Sequence, residues 1–220
     1  MTTQVIDVID TCNLACPYCF WPINSLKRLS LEQVEEKVLD DAKYVVLTWW
    51  EVLLHPQIED IIKLVYNKWK KVIFHTNWML LTKEFLDRNK KYLYRVNLPI
   101  DSNIQEINKK TRWEKHLEKV LNWFNLVKDA WLKLSISTVF CSTNQDYMLD
   151  LAEFLEKVEP DLWRIFEFKN VSKLKNADYL YADKQKEKEF LEKVKKYNFK
   201  RLEFIKADSE FYDSYKYEKS

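Results

Sequence analysis

Residues 4–20 read QVIDVIDTCNLACPYCF, from Gln4 to Phe20. The β-branched, apolar first half (Gln4–Asp10) predicts a strand. That strand delivers the chain into a short loop carrying Cys12, Cys16 and Cys19. A CxxxCxxC loop offers three soft thiolates on one bendable segment. Three protein ligands suit a 4Fe–4S cluster whose fourth iron stays open for a small molecule. A structural zinc site with a fourth ligand such as Cys141 or His75 suits the same spacing, and chance clustering of three thiols is the plainest alternative.

Outward from this stretch, apolar strand-like runs alternate with helical patterns. Tyr44–Thr48, Lys71–Thr76, Tyr94–Ile100, Leu132–Phe140 and Leu162–Phe168 read as strands. Pro99 belongs at a strand end or bulge. Between them, Ser30 and Gln33 form a capping-box signature ahead of a stripe at Leu31, Val34 and Val38. Ile58, Ile61, Ile62 and Val65, then Leu117, Val120, Leu121, Phe124 and Val127, and Met148 to Val158 fall at helical spacing. Thr82–Arg88 and Lys184–Tyr197 complete the helices. Six βα units imply a parallel sheet, which a doubly wound sheet or a partial barrel would satisfy. Either places chemistry at the C-terminal strand ends, where the polar motifs lie. The short run Leu202–Ile205 is a seventh strand or a docking segment. The expected organisation is one domain over residues 1–206, followed by a polar, Tyr-rich tail at 207–220.

Bulk properties limit the function classes. The chain has 220 residues, 47% of them hydrophobic and 15% aromatic, which argues against disorder. Its 36 basic and 34 acidic residues nearly balance, so no nucleic-acid binding through bulk charge is expected. No apolar run approaches the ~20 residues of a membrane span, and the first residues lack a secretory leader pattern. Clustered thiols suit a reducing, cytoplasmic setting. Glycine is absent, where average usage would give roughly 15 in a chain of this length, and there are nine tryptophans.

CNLACPYC resembles the cluster loop of the radical S-adenosylmethionine superfamily, placed as in that family after the first strand. The resemblance extends along the chain. Thr48-Trp49-Trp50-Glu51, in the stretch that runs on to Pro56 after the second strand, resembles the family's Gly-Gly-Glu-Pro segment, with only Glu51 matching in kind. His75-Thr76-Asn77-Trp78 after the third resembles Thr-Asn-Gly. Asp101-Ser102 after the fourth, with Asn108-Lys109-Lys110-Thr111-Arg112-Trp113, resembles its Asn-Lys-x-x-Arg-Gly. A zinc site predicts none of these last three motifs. The resemblance implies a partial (β/α)6 TIM-type barrel. It also implies Cys12, Cys16 and Cys19 as cluster ligands and S-adenosylmethionine chelating the open iron. Reductive cleavage would then give a 5′-deoxyadenosyl radical that abstracts hydrogen from a small-molecule or peptide substrate. An external donor such as flavodoxin or ferredoxin would supply the electron. Tyr18 corresponds to the aromatic beside the adenine, and Trp49, Trp50, Glu51, Asn77, Asp101 and Ser137 are expected near the cofactor. No residue is singled out as the catalytic one.

Within the superfamily, Tyr18-Cys19-Phe20, Asp101-Ser102, the Arg112 segment and Trp163-Arg164-Ile165-Phe166-Glu167 resemble viperin-like enzymes. Those enzymes dehydrate nucleoside triphosphates, and Arg164 would then approach a phosphate. The lysine that such enzymes carry soon after the cluster loop has no counterpart at residues 23–25. The fifth strand has Ser135 and Ser137 where they have Lys and Asn. Peptide-modifying enzymes and glycyl-radical activases remain alternatives. Ser135, Ser137 and Asn97 alternate with apolar neighbours and are candidates for ribose or carboxylate contacts, or solvent-facing positions. Cys141 reads as a small buried residue, and His55 and His116 as residues without chemical roles.

Trp49, Trp50, Trp78 and Trp113 stand where the family pattern has glycine. Trp69 and Trp131 stand between a helix and the next strand, an ordinary place for a helix-terminating glycine. Trp21 fits the same pattern, whereas Trp163 and Trp123 suit a core. The expectation is a chain in which tryptophan occupies glycine positions, with indoles at 49 and 50 crowding the cofactor's methionine end. A zinc-bound interaction module and a catalytically silent scaffold are the competing readings.

Overall fold

The computed structural model describes residues 2–19, 27–48, 50–170 and 176–207. Seven parallel strands form one sheet in the order of the chain: β1 (Thr2–Asp7), β2 (Ala42–Thr48), β3 (Lys71–His75), β4 (Leu93–Pro99), β5 (Lys133–Phe140), β6 (Leu162–Glu167) and β7 (Leu202–Ile205). A doubly wound sheet reverses its strand order at a switch point. This order never reverses, which is the winding of a (β/α) barrel. Leu202–Ile205 is therefore a strand, pairing in parallel with β6 from Trp163↔Leu202 to Phe166↔Ile205.

The helices are α1 (Leu31–Lys37), α2 (Ile58–Asn67), α3 (Lys83–Asn89), α4 (Gln105–Thr111), α5 (His116–Asp129), α6 (Met148–Val158) and α7 (Lys184–Lys193). Their starts follow local chemistry. The Ser30 hydroxyl accepts from Gln33 N and the Gln33 side chain answers to Ser30 N, a complete capping box. Thr82 and Asp183 cap α3 and α7 with side-chain oxygens. The helix α4 carries the first four residues of the Asn-Lys-Lys-Thr-Arg motif, where no apolar stripe announces it.

The chain groups into two compact units. One comprises Met1–Ala15, Ile23–Pro99 and Val120–Ser135; the other comprises Cys16–Pro22, Ile100–Lys119 and Ile136–Ser220. In the first, Ile6, Leu47, Phe74 and Val96 lie in register on one sheet face, all buried. The opposite face is polar at the strand ends. Asp7 pairs with Thr48 and His75 with Asn97. Thr48 Oγ1 lies 3.4 Å from His75 Nδ1, and Ser135 Oγ donates to Asn97 Oδ1 at 2.9 Å. In the second unit, Leu134's neighbours along β5, Ile136, Thr138 and Phe140, are fully buried. Trp163 is also fully buried there and donates its indole N–H to Thr138 Oγ1 at 2.9 Å.

Five described residues have left-handed backbones, and four are tryptophans: Trp50 (φ 39°), Trp69 (63°), Trp78 (62°) and Trp131 (61°); Glu159 (54°) is the fifth. After α2, Trp69 N donates to Tyr66 O (2.8 Å) and Lys70 N to Val65 O (3.4 Å). After α5, Trp131 N donates to Lys128 O (2.9 Å) and Leu132 N to Val127 O (3.2 Å). Both are Schellman closures with tryptophan at the glycine position. The two indoles are 95% and 96% exposed, so no packing holds them there. Trp78 is buried. Trp113 is not left-handed. Trp21, Trp49 and residues 208–220 of the tail lie outside the described residues.

Candidate functional site

In the first unit the motif residues converge on Glu51. Its backbone N–H donates to Thr11 O at 3.1 Å, tying the turn after β2 to the loop after β1. Its fully buried carboxylate accepts from Leu53 N (3.0 Å), Thr76 Oγ1 (2.8 and 3.0 Å) and Asn77 N (2.6 Å). Burial nonetheless dominates these hydrogen bonds and lifts the carboxyl from 4.5 to about 7. A carboxylate so placed is half-protonated near neutrality and gains from a cationic partner.

Asn77 links this acid to the cysteine loop. Its amide donates to Asn13 Oδ1 at 2.7 Å and to Cys12 Sγ at 3.7 Å, while its oxygen accepts from Met79 N at 3.0 Å. Cys12 Sγ also accepts from Leu14 N at 3.4 Å. N–H donors aimed at sulfur favour a thiolate or a cluster-bound thiolate. Trp78, immediately after Asn77, bonds Thr76 Oγ1 through its N–H at 2.8 Å. The left-handed turn there lets Asn77 present both its backbone and side chain. Neither Asn13 nor the acid-binding role of Thr76 is marked by spacing or periodicity. Only the motif Thr76-Asn77 hints at the second.

In the second unit, Cys16 is buried and Cys19 half-buried, with Cys19 N donating to Cys16 O at 3.0 Å in a tight turn. Tyr18, between them, donates its hydroxyl to Asp101 Oδ2 at 2.8 Å. Burial raises its ionisation well above the ordinary 10.0, so it remains a neutral phenol. Asp101 is also paired with Arg112 (2.7 Å), and Asn108 Oδ1 accepts from Asp101 N and Ser102 N at 3.1 and 3.3 Å. The fourth family-like motif is thus one buried network around a carboxylate. Burial depresses His116 to about 2, leaving it a neutral partner of Asn108 at 2.9 Å. Ser137 is half-buried on β5, its carbonyl accepting from Ile100 N at 3.0 Å. Arg164 donates to Glu203 Oε2 at 2.8 Å, so its charge is matched on β7.

All four cysteines are free thiols. Cys141 lies with Phe168, Ala177 and Leu180 in an apolar cluster, where burial pushes its thiol up to about 11. That environment suits a packed side chain and opposes a thiolate ligand. His55 is held by Leu29 O (2.8 Å) and Gln57 N (3.1 Å). Among the described residues no group of three His, Cys, Asp or Glu side chains is placed to hold a metal ion. The donor chemistry at Cys12 still suits an iron–sulfur cluster: a soft sulfur receiving two N–H groups and free of any disulfide. No helix among the described residues is long and apolar enough to cross a membrane.

Known proteins resemble this chain in sequence and in fold. Residues 6–155 match the family model described as the Radical SAM superfamily. The chain is 26% identical over 174 residues to an S-adenosylmethionine-dependent nucleotide dehydratase of Flammeovirga pacifica, covering 72% of this chain and 59% of that protein. It is 32% identical over 161 residues to a GTP 3′,8-cyclase of Helicobacter pylori, covering 68% and 50%. The chain therefore spans between half and three-fifths of these relatives. Its fold is similar to that of Streptococcus suis SuiB bound to precursor peptide SuiA. There the TM-score is 0.75 at 13% identity, over 97% of this chain and 50% of that one. These matches agree with the barrel-type strand order and give the fold as a partial TIM-type (β/α) barrel. By the family match across residues 6–155, this chain belongs to the radical SAM superfamily.

Proposed function

We propose that this chain is the core of an enzyme in which Cys12, Cys16 and Cys19 hold a 4Fe–4S cluster beside S-adenosylmethionine, and that its substrate is a nucleotide. When bound, this pair supplies reductive cleavage of S-adenosylmethionine to a 5′-deoxyadenosyl radical that abstracts hydrogen from the substrate. The observation that carries the reading is Asn77, which joins the buried Glu51 to Cys12 Sγ through its backbone and side chain. A cation-seeking acid and a cluster thiolate are thereby linked through one residue.

Each residue has a share in this reading. Glu51 accepts the cofactor's ammonium, whose charge would return the carboxyl to its ionised form. Asn77 and Leu14 stabilise negative charge on Cys12. Tyr18, a neutral phenol, offers its ring to the adenine. The polar strand ends at Asn97 and Ser135, with Ser137, offer amide and hydroxyl groups to a ribose. A nucleotide substrate is favoured by the two relatives, whose names describe chemistry on nucleotides. The electron comes from a flavodoxin- or ferredoxin-type donor, in a reducing cytoplasm.

Anaerobic reconstitution with iron and sulfide tests the proposal. The expected product is brown, with about four irons per chain, and forms 5′-deoxyadenosine when reduced with S-adenosylmethionine. Cys12→Ala, Cys16→Ala and Cys19→Ala each lose the cluster, whereas Cys141→Ala keeps it. A colourless protein binding one zinc would sink the reading. Replacing Trp49 and Trp50 by glycine is expected to tighten S-adenosylmethionine binding, measured by equilibrium dialysis. Turnover of a peptide but of no nucleotide would move the substrate assignment.

A further inference from the structure

Asp101 is saturated. Its Oδ2 accepts from Tyr18 OH (2.8 Å) and Arg112 Nε (2.7 Å), and its Oδ1 from Arg112 Nη2 (3.3 Å) and Val139 N (3.0 Å). Those four bonds fill the acceptor sites of a carboxylate. The aspartate side chain is wholly buried and the arginine side chain 10% exposed. The guanidinium also lies over the Tyr18 ring, 5.0 Å from its centroid. Tyr18 is thus gripped at its hydroxyl and at its face by the two members of one ion pair. The turn carrying Asp101 is fixed in its own right. Asn108 accepts from its backbone, and Asn144 Nδ2 donates to Asp101 O and Val139 O at 2.9 Å each.

A buried ion pair gains little over apolar packing of the same volume. Stability alone therefore gives no reason to set two full charges under a cysteine loop. The location supplies one. Tyr18 stands between Cys16 and Cys19, and both Tyr18 and Arg112 lie close enough to respond to a charge on the Cys16 sulfur. Burial works against the arginine's charge, and the groups around it, Asp101 first among them, together outweigh burial, so the guanidinium stays charged.

We infer that Asp101 and Arg112 are positioning residues for the cysteine loop: they fix Tyr18 by edge and face, and their opposed charges balance one another near Cys16, so that the potential at the loop depends on the pair staying whole. This rests on the reading that the loop holds a 4Fe–4S cluster. A one-electron reduction adds negative charge, which a nearby cation favours and a nearby anion opposes. Intact, the pair largely cancels. Broken from either side, it leaves one uncompensated charge of known sign.

The test is an anaerobic redox titration of the reconstituted full chain, followed by electron paramagnetic resonance. Asp101→Asn leaves the guanidinium unbalanced, and its cluster is expected to reduce more readily. Arg112→Gln leaves the carboxylate unbalanced, and its cluster is expected to reduce less readily. Each change is expected to be about tenfold in the reduced-to-oxidised ratio at fixed potential, about 59 mV for one electron. The double variant returns toward the parent value. Shifts of one sign, or none, in variants that load iron normally would overturn the inference, because a purely structural pair gives no opposed pattern. If both single variants lose iron, Arg112→Lys decides. Near-parent iron loading supports the inference, and equal loss overturns it. A parent chain with no iron–sulfur signal at all would instead refute the proposed function, and this inference with it.

Discussion

Glu51 makes the stability of the first unit depend on pH. Below its ordinary value of 4.5, the carboxyl is protonated whether the chain is folded or not. As pH rises, the unfolded chain gives up this proton first, and the folded chain keeps it until about pH 7. The folded state then binds more protons, so stability falls with rising pH across that window, by about 3 kcal/mol in total, and levels off above it. Urea unfolding at pH 5 and pH 8 should show this loss in the parent chain. Glu51→Gln should start less stable, having one acceptor oxygen for three donors, and show a much flatter profile. A cofactor ammonium opposes the same loss, so added S-adenosylmethionine should protect the parent most at pH 8. The sequence marked Glu51 by its motif, but two of its three donors come from residues 25 and 26 positions away. Neither spacing nor periodicity reports contacts of that kind.

The ends of α2 and α5 carry a conflict between element and residue. Their hydrogen bonding calls for a left-handed residue, and a side chain with a β-carbon costs roughly 1–2 kcal/mol there. Trp69 and Trp131 recover nothing through burial. Trp69→Gly and Trp131→Gly are each expected to raise stability by about 1 kcal/mol, visible as a higher urea midpoint with an unchanged slope. A lower midpoint would show that these indoles contribute packing after all. These two turns were legible because each tryptophan stands between a helix stripe and the next strand, where a helix-terminating glycine is ordinary. The strand identity of Leu202–Ile205 was not. Four apolar-leaning residues satisfy a strand and a docking segment equally, and only pairing with β6 separates them. The helix α4 was hidden for the opposite reason: its sequence, QEINKKT, is nearly all polar.

At the scale of the whole molecule, the sheet is held in order to its last strand by charges as well as by backbone. Glu167 at the end of β6 and Glu187 on α7 are both buried. Lys184 reaches both carboxylates, Lys206 reaches Glu187, and Ala207 N donates to Glu167 at 2.8 Å. Ending the chain after Arg201 removes β7 and Lys206 together. It exposes the pairing edge of β6 and leaves two buried carboxylates sharing one lysine. The expected result is a loss of several kcal/mol and faster proteolysis, checked by thermal melting and limited digestion. Strand sequence predicted the parallel class, but not which winding it adopts, since strand order depends on partners distant in the chain. The exposed, left-handed Trp69 and Trp131 also bear on translation. Independent mutations that each spoil a turn would be removed singly, whereas a change in how one codon is read alters every such position at once. A chain with no glycine and intact glycine-shaped turns fits the second history. Protein made by its native ribosomes is then expected to carry glycine where Trp50, Trp69, Trp78 and Trp131 stand, and an indole at Trp163. Peptide mass mapping would read the difference directly, and tryptophan recovered at 69 and 131 would dismiss it.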